Sequence, residues 1–127
     1  MAKLKTSFNM TSSTTSKGDP LSTYITSEVD VSAPLIQQGK LVTSVTGDVI
    51  IDGTAAPFTT TDAYVYIRAS SDNGVNVIKV SDDGGANKFA MLEANDWCWF
   101  PSKAGVGVKV VASAGTPKME YAYFLRA

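Results

Sequence analysis

Apolar and polar positions alternate, residue by residue, along most of the chain. Leu4, Thr6, Phe8 and Met10 share one side of a first strand, with Lys3, Lys5, Ser7 and Asn9 on the other. A period of two marks extended backbone with one face against a core, because successive side chains of a strand point to opposite faces. The stretch TSSTTSKGDP, residues 11–20, then has no apolar residue and reads as a polar tether. Alternation resumes near Thr23, where Ile25, Ser27, Val29 and Val31 oppose Tyr24, Thr26, Glu28 and Asp30. The pattern divides the chain into residues 1–20, an N-terminal strand or arm with its tether, and residues 21–127, a β-sandwich domain.

Within the body, Pro34 and Gly39 mark a loop, and two β-branched runs, Leu41–Thr46 and Asp48–Asp52, flank Gly47 as one bent strand or a tight hairpin. Pro57 excludes residues 53–62 from a central strand, since proline cannot donate to a ladder. Ala63, Val65, Ile67 and Ala69 alternate with Tyr64, Tyr66 and Arg68. Asp72-Asn73-Gly74 then supplies residues that tolerate positive φ, which predicts that Val75–Val80 returns as the second strand of a hairpin. Asp82-Asp83-Gly84-Gly85 turns the chain into Lys88–Leu92, Asn95-Asp96 turns it into Trp97–Phe100, and Pro101 ends that strand. Gly105–Ala112 follows. The last strand places Met119, Tyr121, Tyr123 and Leu125 on one face, and Glu120, Ala122 and Phe124 on the other. No segment holds apolar residues at helical spacing, and turns recur about every 8–12 residues. The expected fold is all-β: an antiparallel β-sandwich, jelly-roll-like, with a small closed β-barrel as the alternative.

Charge narrows the partners. Eleven Lys and Arg against twelve Asp and Glu leave a net charge of -1, and the basic residues are scattered singly. Nucleic-acid binders draw affinity from clustered cations that displace phosphate counterions, so no nucleic-acid partner is expected. No apolar run approaches the roughly 20 residues of a membrane span. The opening MAKLKTSFNM lacks an apolar segment behind its lysines, so no secretory signal and no membrane partner are expected, and the chain is expected to be made in a cytoplasm.

Candidate chemistry is sparse. Histidine is absent, which removes Ser-His-Asp and Cys-His arrangements and the commonest zinc ligand. The one cysteine, Cys98, lies between Trp97 and Trp99, an apolar setting that disfavours a thiolate and suits a small buried hydrophobe. Asp72, Asp82 and Asp83 could be paired as glycosidase carboxylates or calcium ligands, but each sits in a glycine-containing turn that explains it through backbone geometry. Gly105-Val106-Gly107 lacks the later glycine and the helix of a phosphate-binding loop. Neither enzymatic activity nor a metal or cofactor is expected. The aromatic pairs Trp97/Trp99, Tyr64/Tyr66 and Tyr121/Tyr123 suit core or subunit contacts, because their rings bury large areas while their polar tips tolerate a half-wet surface. The candidate protein-interface residues are Leu4, Phe8 and Met10 on the arm, with Trp97, Trp99, Tyr121 and Tyr123 on the body. The alternative for the aromatics is a platform stacking on sugar rings.

From Ala63 onward the chain resembles small β-rich phage virion structural proteins of the capsid decoration or cement type. The resemblance rests on YVYIRASSDNG followed by VNVIKVSDDGG, then Leu92-Glu93-Ala94, Trp97–Pro101, the valine strand Val106–Val111 and the aromatic end Glu120–Leu125. It is a resemblance in the succession of strands, and the N-terminal half has no counterpart in it. What it implies is a non-enzymatic subunit of the virion, made in the host cytoplasm, that bridges the major capsid protein or other virion subunits. Such a subunit is expected to form a homo-oligomer, a trimer or a dimer. The arm would add a strand to a neighbour's sheet edge, with many copies binding by avidity; the equal alternative is that residues 1–10 are the first strand of the chain's own sandwich, followed by a long loop. A tail- or fibre-associated module recognising a host glycan is the alternative.

Overall fold

The computed structural model describes residues 2–11, 22–31 and 37–127. Most of the tether and the Pro34 loop lie outside the described residues. Ten strands run in chain order: β1 (Ala2–Thr11), β2 (Ser22–Val31), β3 (Gln37–Val42), β4 (Asp48–Ile51), β5 (Ala63–Ala69), β6 (Ile78–Ser81), β7 (Lys88–Leu92), β8 (Trp97–Ser102), β9 (Val108–Ala112) and β10 (Lys118–Leu125). No helix occurs among the described residues.

Strands β3 to β10 form two four-stranded antiparallel sheets, ordered β3-β10-β5-β8 and β4-β9-β6-β7. The pairing is nested: β6 with β7, β5 with β8, β4 with β9 and β3 with β10. A ribbon of four strand pairs, with the β6–β7 turn at its tip, is thus rolled so that successive pairs fall in alternate sheets. This is the jelly-roll form of the sandwich, and the sheets do not close into a barrel.

The core lies between the two sheets because the alternation drives it there. Val65, Ile67 and Ala69 of β5, with Met119 and Tyr123 of the neighbouring β10, face Ile78 and Val80 of β6 and Val108 and Val110 of β9, all buried. Among the described residues, no buried side-chain nitrogen or oxygen lacks a hydrogen-bond partner. That balance is expected of a well-formed interior.

Several local expectations change once the two sheets are known. Asn73-Gly74 does not close a hairpin, since β5 and β6 lie in different sheets. Both strands bury their apolar alternate faces, so they meet across the core rather than side by side. Asn73 is buried and fixes the crossing instead: its Nδ2 donates to the Lys118 carbonyl at 2.7 Å, and its Oδ1 accepts from the Lys118 N–H at 2.7 Å. Gly47, at φ 83°, likewise turns the chain from one sheet to the other, so its flanking runs make neither a bent strand nor a hairpin. Strand β8 continues through Pro101 to Ser102. It is an edge strand, where a missing N–H costs no ladder bond. Gly105 and Gly107 take positive φ in the turn before β9, which starts at Val108.

β1 and β2 stand apart. Ser22–Val31, which alternation alone assigns to the body, pairs in register with β1 over ten residues and with neither four-stranded sheet. Opposed pairs Leu4/Val29, Thr6/Ser27 and Phe8/Ile25 make one side of this ribbon, and Lys3/Asp30 and Lys5/Glu28 the other. Lys3 Nζ reaches Asp30 Oδ1 at 2.9 Å and Glu28 Oε1 at 3.6 Å, both exposed, so these ion pairs fix register more than they stabilise. The ribbon joins the body at its root, where Val31 bridges Arg126 and the Ala127 N–H donates to the Asp30 carbonyl at 3.1 Å.

Candidate functional site

The outer face of the β3-β10-β5-β8 sheet is built by the alternate residues that do not enter the core. Cross-strand register sets Arg68 beside Trp97 and Glu120, Tyr66 beside Trp99 and Ala122, and Tyr64 beside Pro101 and Phe124. The face is therefore graded, charged at one end and aromatic at the other. Tyr64 and Trp99 stack with ring centroids 5.5 Å apart and an interplanar angle of 5°. Phe124 meets Trp99 edge-on at 6.3 Å, and the Arg126 guanidinium lies 5.4 Å from the centre of the Tyr64 ring. These offset, edge-on and cationic contacts are the arrangements that the ring quadrupole favours.

At the charged end, the Tyr66 hydroxyl donates to Glu120 Oε1 at 3.0 Å. Partial burial, and then the Glu120 carboxylate, push the Tyr66 phenol above its ordinary pKa, so it remains a neutral donor at physiological pH. Lys40, Arg68, Asn95 and Lys118 border an open groove of about 540 Å³ beyond it. Asn95 adopts φ 71° in the turn between β7 and β8. Asparagine is among the few residues that tolerate this left-handed backbone.

The apolar side of the β1–β2 ribbon lies against the same face. Phe8 packs on Trp97 with ring centroids 6.0 Å apart. Between ribbon and sheet runs a groove of about 530 Å³, with Thr6, Phe8, Ile25, Tyr66, Trp97 and Trp99 among its lining.

The candidate interface residues thus divide. Phe8, Trp97 and Trp99 come together here; Leu4 and Met10 lie on the same side of the ribbon, Leu4 half-buried and Met10 exposed. Tyr121 and Tyr123 lie on the inward side of β10, stacked on each other at 6.4 Å, and Phe58 meets Tyr123 edge-on at 5.5 Å. Those two tyrosines serve the sandwich interior. Tyr64, Phe124, Arg126 and Ile25 complete the outer face and its cover, and alternation alone does not single them out. A signal is present in Tyr64-Val65-Tyr66-Ile67, because a strand that is apolar on both sides is covered on both sides.

The candidate chemical groups have structural partners. Cys98 points inward between the sheets, and burial pushes its thiol up to about 11. Asp82 holds the β6–β7 turn, accepting from Asn87 Nδ2 at 2.6 Å and the Ala86 N–H at 3.1 Å. Asp83 Oδ2 accepts the Gly53 N–H at 2.8 Å, and Asp72 is bound by the Ser70 hydroxyl. Among the described residues, no three His, Cys, Asp or Glu side chains converge as metal ligands. Comparison with family models, curated proteins and solved structures finds no match for this chain.

Proposed function

We propose that this protein is a non-enzymatic virion structural subunit that decorates or cements a phage capsid, bridging neighbouring capsid proteins and associating with copies of itself. The observation that carries the proposal is the amphipathic β1–β2 ribbon, which belongs to neither sheet of the jelly roll and lies along an aromatic sheet face. A paired two-stranded ribbon is marginal in water unless its apolar side is covered. The ribbon is then an element for covering and being covered, which is what a subunit that cements a lattice needs. Jelly rolls serve in viral capsids and in lectins alike, so the fold is compatible with the proposal without selecting it.

The test is reconstitution on particles. Phage heads purified without this protein should bind it saturably, at a fixed copy number per capsid, and co-sediment with it. Absence from purified virions, together with no binding to such heads, refutes the proposal. The glycan-binding alternative draws on the groove beside Tyr66, Trp97 and Trp99. It stands second because the Trp99 ring is already stacked on Tyr64 and the Trp97 ring packed against Phe8. Saturable binding on a glycan array, lost in a folded W97A/W99A variant, would reverse that order.

A further inference from the structure

Asn73 is the one asparagine of the chain that a glycine follows. That pair carries its own chemistry. The deprotonated backbone nitrogen of the glycine attacks the asparagine Cγ, a C–N bond forms, and the side-chain nitrogen leaves as ammonia. Water then opens the succinimide ring, at one carbonyl to aspartate and at the other to isoaspartate. The net change is amide plus water to acid plus ammonia, so water is the only co-reactant. Glycine favours the attack because it has no Cβ to obstruct the ring. The structure separates the two reacting groups. Gly74, at φ 62°, is exposed, with open space where a side chain would stand, so solvent base reaches the turn freely. Asn73 is 7% exposed, and both ends of its amide are held by the Lys118 backbone at 2.7 Å. Ring closure brings Cγ onto the Gly74 nitrogen and turns it from planar to tetrahedral, so both hydrogen bonds must break first. Their partner is the first residue of β10, far along the chain, and it stands there only in the folded protein.

We propose that Asn73-Gly74 is a self-modification site that the fold holds shut, so that a chain that stays unfolded is chemically marked and refolds to a less stable protein. The marked side chain fails at the same two atoms. An aspartate in this place still accepts the Lys118 N–H, but its second oxygen stands where Nδ2 donates, setting one acceptor against another in a buried position. Isoaspartate also routes the backbone through the side chain and lengthens it by a methylene at the crossing from β5 to β6. That crossing joins the two sheets, so the damage falls on how they are held together. The inference needs only this turn and β10, and it stands apart from the capsid reading.

Two measurements on the full chain test it. Wild-type protein is aged at mildly alkaline pH, native and in guanidinium above its unfolding transition, and peptide mapping by mass spectrometry reads conversion at Asn73. Aspartate and isoaspartate should appear together in the unfolded chain. In the native protein they should form about a hundredfold more slowly or less, because a reaction slow beside reclosing follows the population of the open form. Comparable rates in the two states overturn the guarded site. Asn73→Asp, made directly, reads the second half. Its guanidinium midpoint should lie below that of the wild type at neutral pH, and the gap should narrow in acid, where the protonated carboxyl donates to the Lys118 carbonyl as the amide did. The sign follows from a carboxyl whose native pKa is raised: the cost is full above the native value and gone below the unfolded one, about 3.9. If the variant is unfolded at neutral pH, mild acid should restore its circular dichroism. A variant as stable as the wild type at neutral pH, or a deficit that acid leaves unchanged, overturns the proposal.

Discussion

Trp97 and Trp99 are the same residue type on the same face of the same strand, and the structure assigns them different work. Trp99 is half-buried, stacked on Tyr64 and edge-on to Phe124. An aromatic pair contributes about 0.5–1.5 kcal/mol beyond the area it buries, so two pairs give about 1–3 kcal/mol. Removing a large aromatic from a packed site costs about 3–5 kcal/mol in total, and partial exposure places Trp99→Ala near the lower end, about 3 kcal/mol. Trp97 is 51% exposed with Phe8 as its ring partner, so Trp97→Ala should cost about 1 kcal/mol. Guanidinium unfolding of dilute protein, followed by far-ultraviolet circular dichroism, measures both without relying on indole fluorescence. The expected gap of about 2 kcal/mol exceeds the roughly 10–15% uncertainty of linear extrapolation for a domain of ordinary stability. Equal losses, or a larger loss at Trp97, would refute the separation of a packing indole from a contact indole.

Asn73→Ala should cost about 1–3 kcal/mol in the same assay, because it leaves the Lys118 N–H and carbonyl, both part-buried, without their side-chain partner. A cost near zero would show that water replaces the amide. Cys98 should react with an aromatic disulfide reagent at pH 8 roughly 100-fold more slowly in the native protein than in denaturant, since a thiol raised from 9.0 to about 11 has that much less thiolate. Comparable rates would place the thiol in water. Acid should destabilise the fold. Asp62 is held below the ordinary carboxylate range by the Ala104 N–H and then by Lys103, and Asp52, Asp72 and Asp82 are lowered by their own hydrogen bonds. A lowered native pKa gives stabilisation that is fully present above the unfolded value, about 3.9, and lost as pH falls through the native values. The urea midpoint should therefore be steady near neutrality and fall below about pH 4, less steeply in Asp62→Asn. A midpoint that rises on acidification would contradict those hydrogen bonds.

Most strand positions and inward faces are legible in the sequence because they depend on local alternation, which a buried sheet enforces at every second residue; the exceptions are Gly39, read as a loop but lying within β3, and Val75–Val77, which precede β6. The two faces of β10, with Met119 and Tyr123 inward and Glu120 and Phe124 outward, follow from that rule alone. Partnership between strands was less legible. Asn73-Gly74 and Gly47 have the backbone freedom of hairpin turns, yet both carry the chain between sheets, because in a nested roll only the β6–β7 pair is joined by its own turn. Turn chemistry says that the chain reverses, not which neighbour it meets. The assignment of β2 to the ribbon was hidden for the same reason: its alternation matches β1 and the body equally well. On the candidate site, the two indoles share the outer face, as their spacing of two implies, but the inward burial of Tyr121 and Tyr123 depends on β3 and β5 flanking β10.

The nested roll also explains why a strand pair can lie outside the sandwich where the ribbon does. The two sheets seal their interior with side chains from β3 to β10, and among the described residues none in that cluster belongs to β1 or β2. The ribbon is therefore free of the requirement that fixes the body, namely that each strand bury one face between the sheets. It has the same period-two pattern but spends its apolar side on an outer surface, where a neighbour can compete for the place. Changes at Phe8 or Ile25 should then alter association while leaving the core intact, whereas changes at Val65 or Val110 act on the fold first. In the proposed function, stability and contact specificity lie on different strands, and β5 joins them: Val65 and Ile67 enter the core while Tyr64 and Tyr66 build the face beneath the ribbon.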